Sequence, residues 1–365
     1  MRVSRELEYF AAVRQEVRVL LGVPPHPEPL TRTERARIVP SLRRQVDAFT
    51  TERSHDGRSH LSTDVEVAAY LAYYGVRSFM VVRRFAEDYA LDGRRVLDLG
   101  AGPGSAAFAI CEPRDAGDLV LVERQERALN TARSLAVRLR IPTPRLERRS
   151  VEELAWPGRS FSTVVAANTI NEWTDDVMAR VKILRRAADS LMPGGRLLIV
   201  EPAMRGTARA LSTLRDQLIA AGLGVEGPCT HIAACPLLAR RRDYCHGRLE
   251  LDVPEDFAAL GVEASGVALG DADFASLIVG KGATPRADGL RVIGDVRREK
   301  GRDRLFLCGA EGMVECYALT GRGALARGSL RVLRRGDIVD LSDRPARSPL
   351  RLDDPGALRC VGRLP

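Results

Sequence analysis

Apolar residues in the middle of the chain fall into short runs separated by stretches with helical spacing. The runs predict strands at 94–100, 117–123, 144–150, 162–168 and 194–202, and the stretches predict helices at 126–140 and 175–192. Strands that alternate with helices build a parallel sheet covered on both faces, which binds ligands at the carboxyl ends of its strands. The pattern therefore predicts an α/β core between Gly93 and Pro202.

The two flanks of this core follow different patterns. Before it, amphipathic periodicity broken by proline and glycine predicts a helical extension, and residues 61–89 predict one or two further helices. After Gly222 come a cysteine-bearing loop, strand candidates at 274–280, 289–296, 303–309 and 314–320, and a hairpin-like segment at 323–341. We predict four parts: a helical extension (1–60), the lead-in and core (61–225), a Cys-rich insert (226–268), and final core strands with a β-rich basic part (269–365).

A glycine-rich turn follows the first core strand and precedes a helix. Asp98 is followed by Gly100, Gly102 and Gly104, which let the backbone turn sharply and approach a ligand, while the helix presents its N-terminal N–H groups. A nucleotide-like ligand is implied. The G-x-G-x-G spacing differs from the dinucleotide fingerprint G-x-G-x-x-G. It resembles motif I of class I S-adenosylmethionine-dependent methyltransferases.

An acidic residue, Glu123, ends the second strand about 20 residues beyond the turn, where a carboxylate can accept both ribose hydroxyls. The methyltransferase resemblance implies that Asp98 orients the loop, that Gly100 and Gly102 abut the methionine part, and that Ser150 and Val151 flank the adenine. The end of the fourth strand offers polar candidates for cofactor or substrate contact, with a helix cap as the alternative: Asn168, Asn171 and Glu172. The amino-methylating D/N-P-P-Y signature is absent, so no catalytic residue and no acceptor atom are identified.

Composition and charge narrow the class of protein. The 365 residues are 45% hydrophobic and 28% charged, which excludes a mainly disordered, collagenous or coiled-coil chain. No apolar run approaches the roughly 20 residues that cross a bilayer, and we expect a cytoplasmic protein without a membrane partner. The net charge of +8 is carried almost wholly by arginine, which suits RNA phosphates but also follows from a GC-rich genome. We expect no DNA partner, and we predict that RNA phosphates contact Arg322, Arg327, Arg331, Arg334 and Arg335.

Three cysteines, Cys229, Cys235 and Cys245, lie within seventeen positions of a loop-like segment. Such clustering in a reduced protein favours metal binding over packing. The fourth ligand could be His231, His246, Cys308 or Cys316. The spacing matches neither zinc knuckles nor bacterial ferredoxins and leaves zinc and an iron–sulfur cluster both open.

The cysteine segment P-C-x-H-x-x-x-C-P-L, followed by D-Y-C-H, comes after a core that ends in I-V-E-P. This combination resembles the methyltransferase-like proteins of the mitochondrial small ribosomal subunit and their bacterial relatives. AAYLAYYGVRS, DFASLIVG, RVIGDVRR, LFLCGAEG and LRRGDIVD extend the likeness over roughly 61–341. The resemblance implies a class I methyltransferase fold and a [4Fe-4S] cluster on Cys229, Cys235, Cys245 and Cys308. It leaves Cys111, Cys316 and Cys360 as ordinary thiols.

Together these features predict an S-adenosylmethionine-dependent methyltransferase of the small ribosomal subunit or its rRNA, with a structural [4Fe-4S] cluster or, alternatively, zinc. The rival hypothesis is a ribosome-assembly or RNA-binding factor that keeps the cofactor fold without turnover. A small-molecule methyltransferase is a third option, but it explains neither the cysteines nor the basic tail.

Overall fold

The computed structural model describes residues 4–50, 60–112, 117–156, 158–319, 324–341, 349–352 and 358–364. Its α-helices are α1 Arg5–Leu20, α2 Arg32–Thr50, α3 Asp64–Tyr70, α4 Val76–Asp88, α5 Ser105–Ile110, α6 Glu126–Arg138, α7 Ile170–Trp173, α8 Val177–Asp189, α9 Arg205–Ala220, α10 Glu255–Ser265 and α11 Ala324–Arg331. Its strands are β1 Arg95–Leu99, β2 Asp118–Glu123, β3 Arg145–Arg148, β4 Phe161–Ala167, β5 Leu191–Pro202, β6 Gly224–Gly227, β7 Gly247–Glu250, β8 Asp271–Gly280, β9 Leu290–Val292, β10 Arg297–Glu299, β11 Arg302–Gly309, β12 Gly312–Leu319, β13 Asp337–Leu341, β14 Leu350–Arg351 and β15 Leu358–Arg363.

The first sheet has the strand order β3-β2-β1-β4-β5-β8-β6, with β7 beside β8. The strands β1 to β4 pair in parallel, so that Leu97 lies between Val120 and Val164, whereas β6 runs antiparallel to β8. A sheet that reverses its winding at β1 leaves a crevice at the carboxyl ends of β1 and β4. This mixed Rossmann-like sheet is the class I methyltransferase fold, which confirms that part of the prediction.

The chain divides into two compact units built from alternating segments. Unit 1 contains residues 1–175, 189–197 and 249–272, and unit 2 contains 176–188, 198–248 and 273–365. The four-part division from the sequence remains a prediction.

The N-terminal helices are integral to unit 1. Along α1 the residues Tyr9, Val13 and Val17 are fully buried because their spacing places them on one helical face. The Tyr9 ring stacks on Phe79 of α4 with 3.8 Å between centroids. The planes of the two rings are nearly parallel, with 6° between them. Helix α1 is therefore packed on the core rather than loosely attached.

A continuous helical stretch, Asp64–Asp88, joins α3 and α4 through a π-helical turn at Leu71–Gly75. By length and composition alone this stretch could cross a membrane, but 56% of its most apolar window is buried inside the protein. It serves here as a core helix of unit 1.

The second sheet, in unit 2, has the order β14-β12-β11-β9-β13-β15, with β10 beside β11. Alternation along β11 places Leu305 and Leu307 in the hydrophobic core, where Cys316 of β12 joins them, and turns Cys308 to the opposite face. The structure thus separates two candidate metal ligands, and Cys316 belongs to the core.

The hairpin-like interpretation of 323–341 is wrong in its first half. Helix α11 occupies Ala324–Arg331, and only Asp337–Leu341 forms a strand. Leu330 is fully buried in the core of unit 2. The segment is rich in Ala, Leu and Arg, which favour helices. Its apolar residues are spaced in a way that fits both the 3.6-residue period of a helix and the two-residue period of a strand. Tertiary packing therefore decides between helix and strand.

Two arginines that we predict to contact RNA also have partners within unit 2. Arg331 Nε donates to the buried Asp303 carboxylate at 2.6 Å. Arg335 Nη1 lies 3.1 Å from His246 Nδ1, and burial together with this guanidinium lowers the pKa of His246 to about 4. Arg334 is exposed, whereas Arg322 and the side chain of Arg327 lie outside the described residues. Arg331 is exposed as well, and the RNA contact of these arginines stays a prediction.

Candidate functional site

The turn between β1 and α5 adopts a backbone that only glycine accommodates easily. Gly100, Gly102 and Gly104 have φ angles of +71°, +52° and +83°, in the left-handed region. A Cβ on Gly100 would collide with Thr169, and one on Gly104 would lie 2.7 Å from Phe108. A Cβ on Gly102, by contrast, would reach only the Tyr70 ring, at 3.7 Å. Gly102 is thus the glycine with open space beside it.

Asp98 lies beneath this turn and does not line the pocket that the turn borders. Its side chain is 1% exposed and accepts a hydrogen bond from the Ala107 N–H at 3.1 Å. Burial, with a smaller contribution from the charge of Glu123, raises the pKa of Asp98 to about 7. The placement fits a role in holding the start of α5.

We expect Asp98 to make the stability of the protein depend on pH. The folded state binds this proton more tightly than the unfolded state, so the free energy of unfolding falls as the pH rises from about 4 to about 7. Urea unfolding of Asp98→Asn should show a shallower decline over this window than the wild type. Asp118→Asn, at an exposed position, serves as the control. An Asp98→Asn slope equal to that of the wild type would contradict the assignment.

Glu123, at the end of β2, forms a hydrogen bond with the backbone of the glycine turn. Its carboxylate accepts hydrogen bonds from the Gly102 N–H at 3.1 Å and from the Gln125 N–H at 2.9 Å. A carboxylate has about four acceptor positions. Glu123 therefore holds the turn in place and can still accept hydrogen bonds from the hydroxyl groups of a ligand.

A pocket of about 400 Å³, open solvent included, lies beside the turn in unit 1. Its lining is formed by Gly100, Val122, Glu123, Arg124, Arg149, Ser150, Val151, Glu152, Thr169, Glu172 and Trp173. Four of the eight cofactor-binding residues that we predict are among them: Gly100, Glu123, Ser150 and Val151. Gly102 and Gly104 belong to the adjacent turn, and Asp98 precedes that turn and binds the first turn of α5. The pocket thus lies at the carboxyl ends of β1, β2, β3 and β4, as expected for this fold.

Asn168, for which a cofactor contact stays a prediction, forms a hydrogen bond to α4. Its φ angle is +58°, and its Nδ2 donates to Ser78 Oγ at 2.9 Å. The residue therefore ties the end of β4 to α4 and is not among the pocket residues.

Trp173 lines the pocket and Tyr70 lies beside Gly102 of the turn, and neither residue was predicted from the sequence. Trp173 Nε1 donates to Thr169 Oγ1 at 3.1 Å. Burial raises the pKa of Tyr70, and the nearby Glu172 and Glu123 carboxylates raise it further. Tyr70 belongs to the AAYLAYYG motif, which signals the family but gives the tyrosine no role.

The glycine turn is also supported from α1. Tyr9 Oη and Ser105 Oγ form a buried hydrogen bond of 2.7 Å, and Ser105 is the first residue of α5. We expect Tyr9→Phe to lower the free energy of unfolding by about 1–2 kcal/mol, because it leaves the Ser105 hydroxyl without this partner. A double-mutant cycle with Ser105→Ala measures the coupling, and additive effects would contradict a direct bond.

The four cysteines of the predicted metal site line one cavity of unit 2. Cys229, Cys235, Cys245 and Cys308 border a space of about 550 Å³, open solvent included, together with Arg215, Arg291, His231 and His246. The loop after β6 and strand β11 thus bring together cysteines that lie up to 79 positions apart in the chain.

The cavity combines thiols with positive charge. Arg291 Nη1 donates to Cys245 Sγ at 3.2 Å, and His231 Nε2 lies 3.5 Å from Cys308 Sγ. Burial raises the pKa of Cys229 to about 11, against the lowering effect of Arg215. Within the part of the chain that the structure describes, no group of three or more His, Cys, Asp or Glu side chains is arranged to hold a metal ion.

Helix α9 holds the cysteine loop through its side chains. The Arg209 guanidinium donates to four main-chain carbonyls, those of Leu237, Leu238, Arg240 and Asp243, at 2.8–3.1 Å. About two turns further along, the Asp216 carboxylate accepts the Cys235 N–H at 3.0 Å. The loop is therefore ordered by hydrogen bonds as well as by any ligand of its cysteines.

We expect Arg209→Ala to destabilise unit 2 by about 2–3 kcal/mol, because several carbonyls lose a charged donor at once. Arg209→Lys should recover little, since an ammonium lacks the planar fork. Chemical unfolding and the metal content of the purified variants provide the measurements. Arg205→Ala, an exposed position on the same helix, is the control, and equal stability of the two alanine variants would refute the role of Arg209.

Several known methyltransferases are similar to parts of this chain. Trans-aconitate 2-methyltransferase from Sinorhizobium fredii is 30% identical over 105 residues, which are 29% of this chain and 37% of that enzyme. The solved magnesium protoporphyrin IX methyltransferase of Synechocystis covers 66% of this chain and 97% of its own, with 13% identity and a TM-score of 0.37. A SAM-dependent methyltransferase of Aquifex aeolicus covers 55% and 90%, with 15% identity and a TM-score of 0.36.

The extent of the family match is decisive for membership. The sequence profile described as mitochondrial small ribosomal subunit Rsm22 matches residues 64–339, which are about three quarters of the chain and include the glycine turn, Glu123 and all four cysteines of the cavity. The chain therefore belongs to the Rsm22 family of the mitochondrial small ribosomal subunit.

Proposed function

We propose that this protein is an S-adenosylmethionine-dependent methyltransferase that acts on the small ribosomal subunit or its rRNA. The observation that carries the proposal is the pocket bounded by the left-handed turn at Gly100–Gly104 and by Glu123. Family membership supports the ribosomal target. The net charge of +8 suits a partner rich in phosphate.

The residues of the pocket fit this cofactor. The Glu123 carboxylate keeps acceptor positions for ribose hydroxyls, and Ser150 and Val151 border the place where the resemblance puts the adenine. Bound S-adenosylmethionine supplies a methyl group on a sulfonium. The chain's own part is then to orient donor and acceptor and to keep water out, which requires few reactive side chains.

We propose further that Cys229, Cys235, Cys245 and Cys308 hold a [4Fe-4S] cluster. The donor set fits: four thiols border one cavity, and two guanidinium groups offset the negative charge of thiolate ligands. Zinc bonds of about 2.3 Å would draw four sulfurs to within about 4 Å of each other. Zinc stays the alternative metal for the same four thiols.

The function is tested with small ribosomal subunits, labelled S-adenosylmethionine and anaerobically purified protein. We expect label in the rRNA with the wild type and with Glu126→Ala, an exposed neighbour. Label should be lost with Glu123→Ala, which lacks the ribose acceptor. Absence of label with wild-type protein that binds the cofactor would overturn the methyltransferase proposal.

An assembly or RNA-binding factor without turnover is the second candidate. The observation that favours it is the end of β4, where Asn168 binds Ser78 and stands apart from the pocket residues. Under this alternative Glu123→Ala still supports maturation of the small subunit in cells. Under the enzymatic proposal it loses the methyl mark.

A further inference from the structure

An aromatic cluster lies beside the cofactor pocket in unit 1. Tyr74 is its hub: its ring centroid lies 5.5 Å from Tyr70, 5.0 Å from Tyr73 and 5.1 Å from Phe49 of α2. The three tyrosines come from α3 and the π-helical turn that follows it. Single π-helical turns within α-helices occur frequently at functional sites.

The exposure of these rings sets them apart from ordinary core residues. Phe79 and Phe85, on the continuation of the same helix, are fully buried. Each of the four residues of the cluster is partly exposed. Aromatic rings that remain open beside a cofactor pocket offer flat apolar faces to a second ligand.

The surroundings of the cluster point to the chemistry of that ligand. Tyr70 faces Gly102 of the cofactor turn and lies in the field of the Glu172 and Glu123 carboxylates. Glu172 also lines the pocket, where its carboxylate can accept a hydrogen bond from an amino group. Arg124 and Arg149, both exposed, lie on the lining of the same pocket and suit phosphate groups.

We propose that the cluster of Phe49, Tyr70, Tyr73 and Tyr74 is a stacking platform for an unpaired RNA base. The methyl acceptor is the amino nitrogen of that base: the chain lacks the D/N-P-P-Y signature, and the Glu172 carboxylate on the pocket lining is the acceptor for the amino group instead. The inference rests on the proposed function and names the substrate class of that site. Unpaired bases are recognised by stacking on aromatic rings combined with hydrogen bonds to their polar edges. An enzyme that modifies a base must hold it outside the stack.

Transfer of the methyl group from S-adenosylmethionine to the base needs only the groups named above. The amino nitrogen forms the new N–C bond with its lone pair, and the electrons of the breaking S–C bond remain on sulfur, which becomes a neutral thioether. The nitrogen then loses one proton to the Glu172 carboxylate or to water. No oxidant, reductant or further reactant is needed.

The probe is a single-stranded RNA oligonucleotide with one 2-aminopurine, whose fluorescence falls when the base stacks. Wild-type protein should quench the probe, and Tyr74→Ala should bind it about tenfold more weakly with little quenching. Tyr74→Phe keeps the ring and should behave as the wild type. Tyr317→Ala, a half-buried tyrosine of unit 2, controls for general loss of a ring.

Two further readouts separate this inference from the proposed function. Calorimetry should give Tyr74→Ala the wild-type affinity for S-adenosylmethionine, and circular dichroism should show the wild-type fold. If Tyr74→Ala quenches and binds the RNA as the wild type does, the platform is wrong even when methylation proceeds. If the label from S-adenosylmethionine enters ribosomal proteins and not RNA, the substrate class is wrong. If no label is transferred but quenching still depends on Tyr74, the methyltransferase proposal fails and the base-binding platform stands.

Discussion

Gly102→Arg should abolish binding of S-adenosylmethionine, measured by calorimetry. The side chain would extend from a backbone at φ +52° into the open space between the turn and Tyr70. It would also disturb the N–H that Gly102 donates to Glu123. Loss of space and loss of the turn's geometry act together, so we expect no measurable heat of binding.

The control for this substitution is Gly22→Arg. Gly22 has a φ of +69°, and a Cβ on it would meet no atom within 4 Å, so the substitution carries the same left-handed cost of about 1–2 kcal/mol. Gly22 lies between α1 and α2, away from the pocket residues. Gly22→Arg should therefore lose stability and keep the cofactor. Normal binding by Gly102→Arg would remove the turn from the cofactor site.

Cys308→Ser should lose the iron of anaerobically purified protein and destabilise unit 2. Thiolate ligands from the loop after β6 and from β11 would cross-link distant parts of that unit, and metal binding then contributes to folding. Iron analysis, visible absorbance and thermal unfolding provide the measurements. Gly102→Arg should keep its iron, because its turn belongs to unit 1.

Cys360→Ser is the matched control, since this thiol is exposed in the same unit. It should keep the iron and the thermal stability of the wild type. Full iron content in Cys308→Ser would move the fourth ligand to His231 or His246, which border the same cavity. Stoichiometric zinc without iron would refute the cluster.

The parallel strands β1, β2 and β4 could be predicted because each is a buried, mainly apolar run. Burial on both faces leaves a strong pattern in the sequence, as in Leu119–Val122. Segment 324–331 was predicted as part of a hairpin but forms a helix. In a half-buried element the apolar residues can fit the period of a helix as well as that of a strand. In such segments the surface against which the element packs decides its secondary structure.

The candidate site was predictable where the backbone itself determines the geometry. Gly100, Gly102 and Glu123 stand at fixed spacing after strands, and that spacing is visible in one dimension. The roles of Arg209 and Tyr9 were not visible, because each depends on which distant carbonyl or hydroxyl the fold brings near. A sequence shows which donors exist but not where their acceptors will lie.

The pairing of Arg14 with Asp256 has a consequence for biosynthesis. Their side chains meet at 2.7 and 2.9 Å although 242 positions separate them, and Asp256 also accepts the Leu30 N–H. At a synthesis rate of about 5–20 residues per second, the first helices wait roughly 12–48 s for this partner to leave the ribosome. During that interval the apolar sides of α1 and α2 are incompletely covered. The nascent chain is therefore a candidate for chaperone protection until α10 emerges.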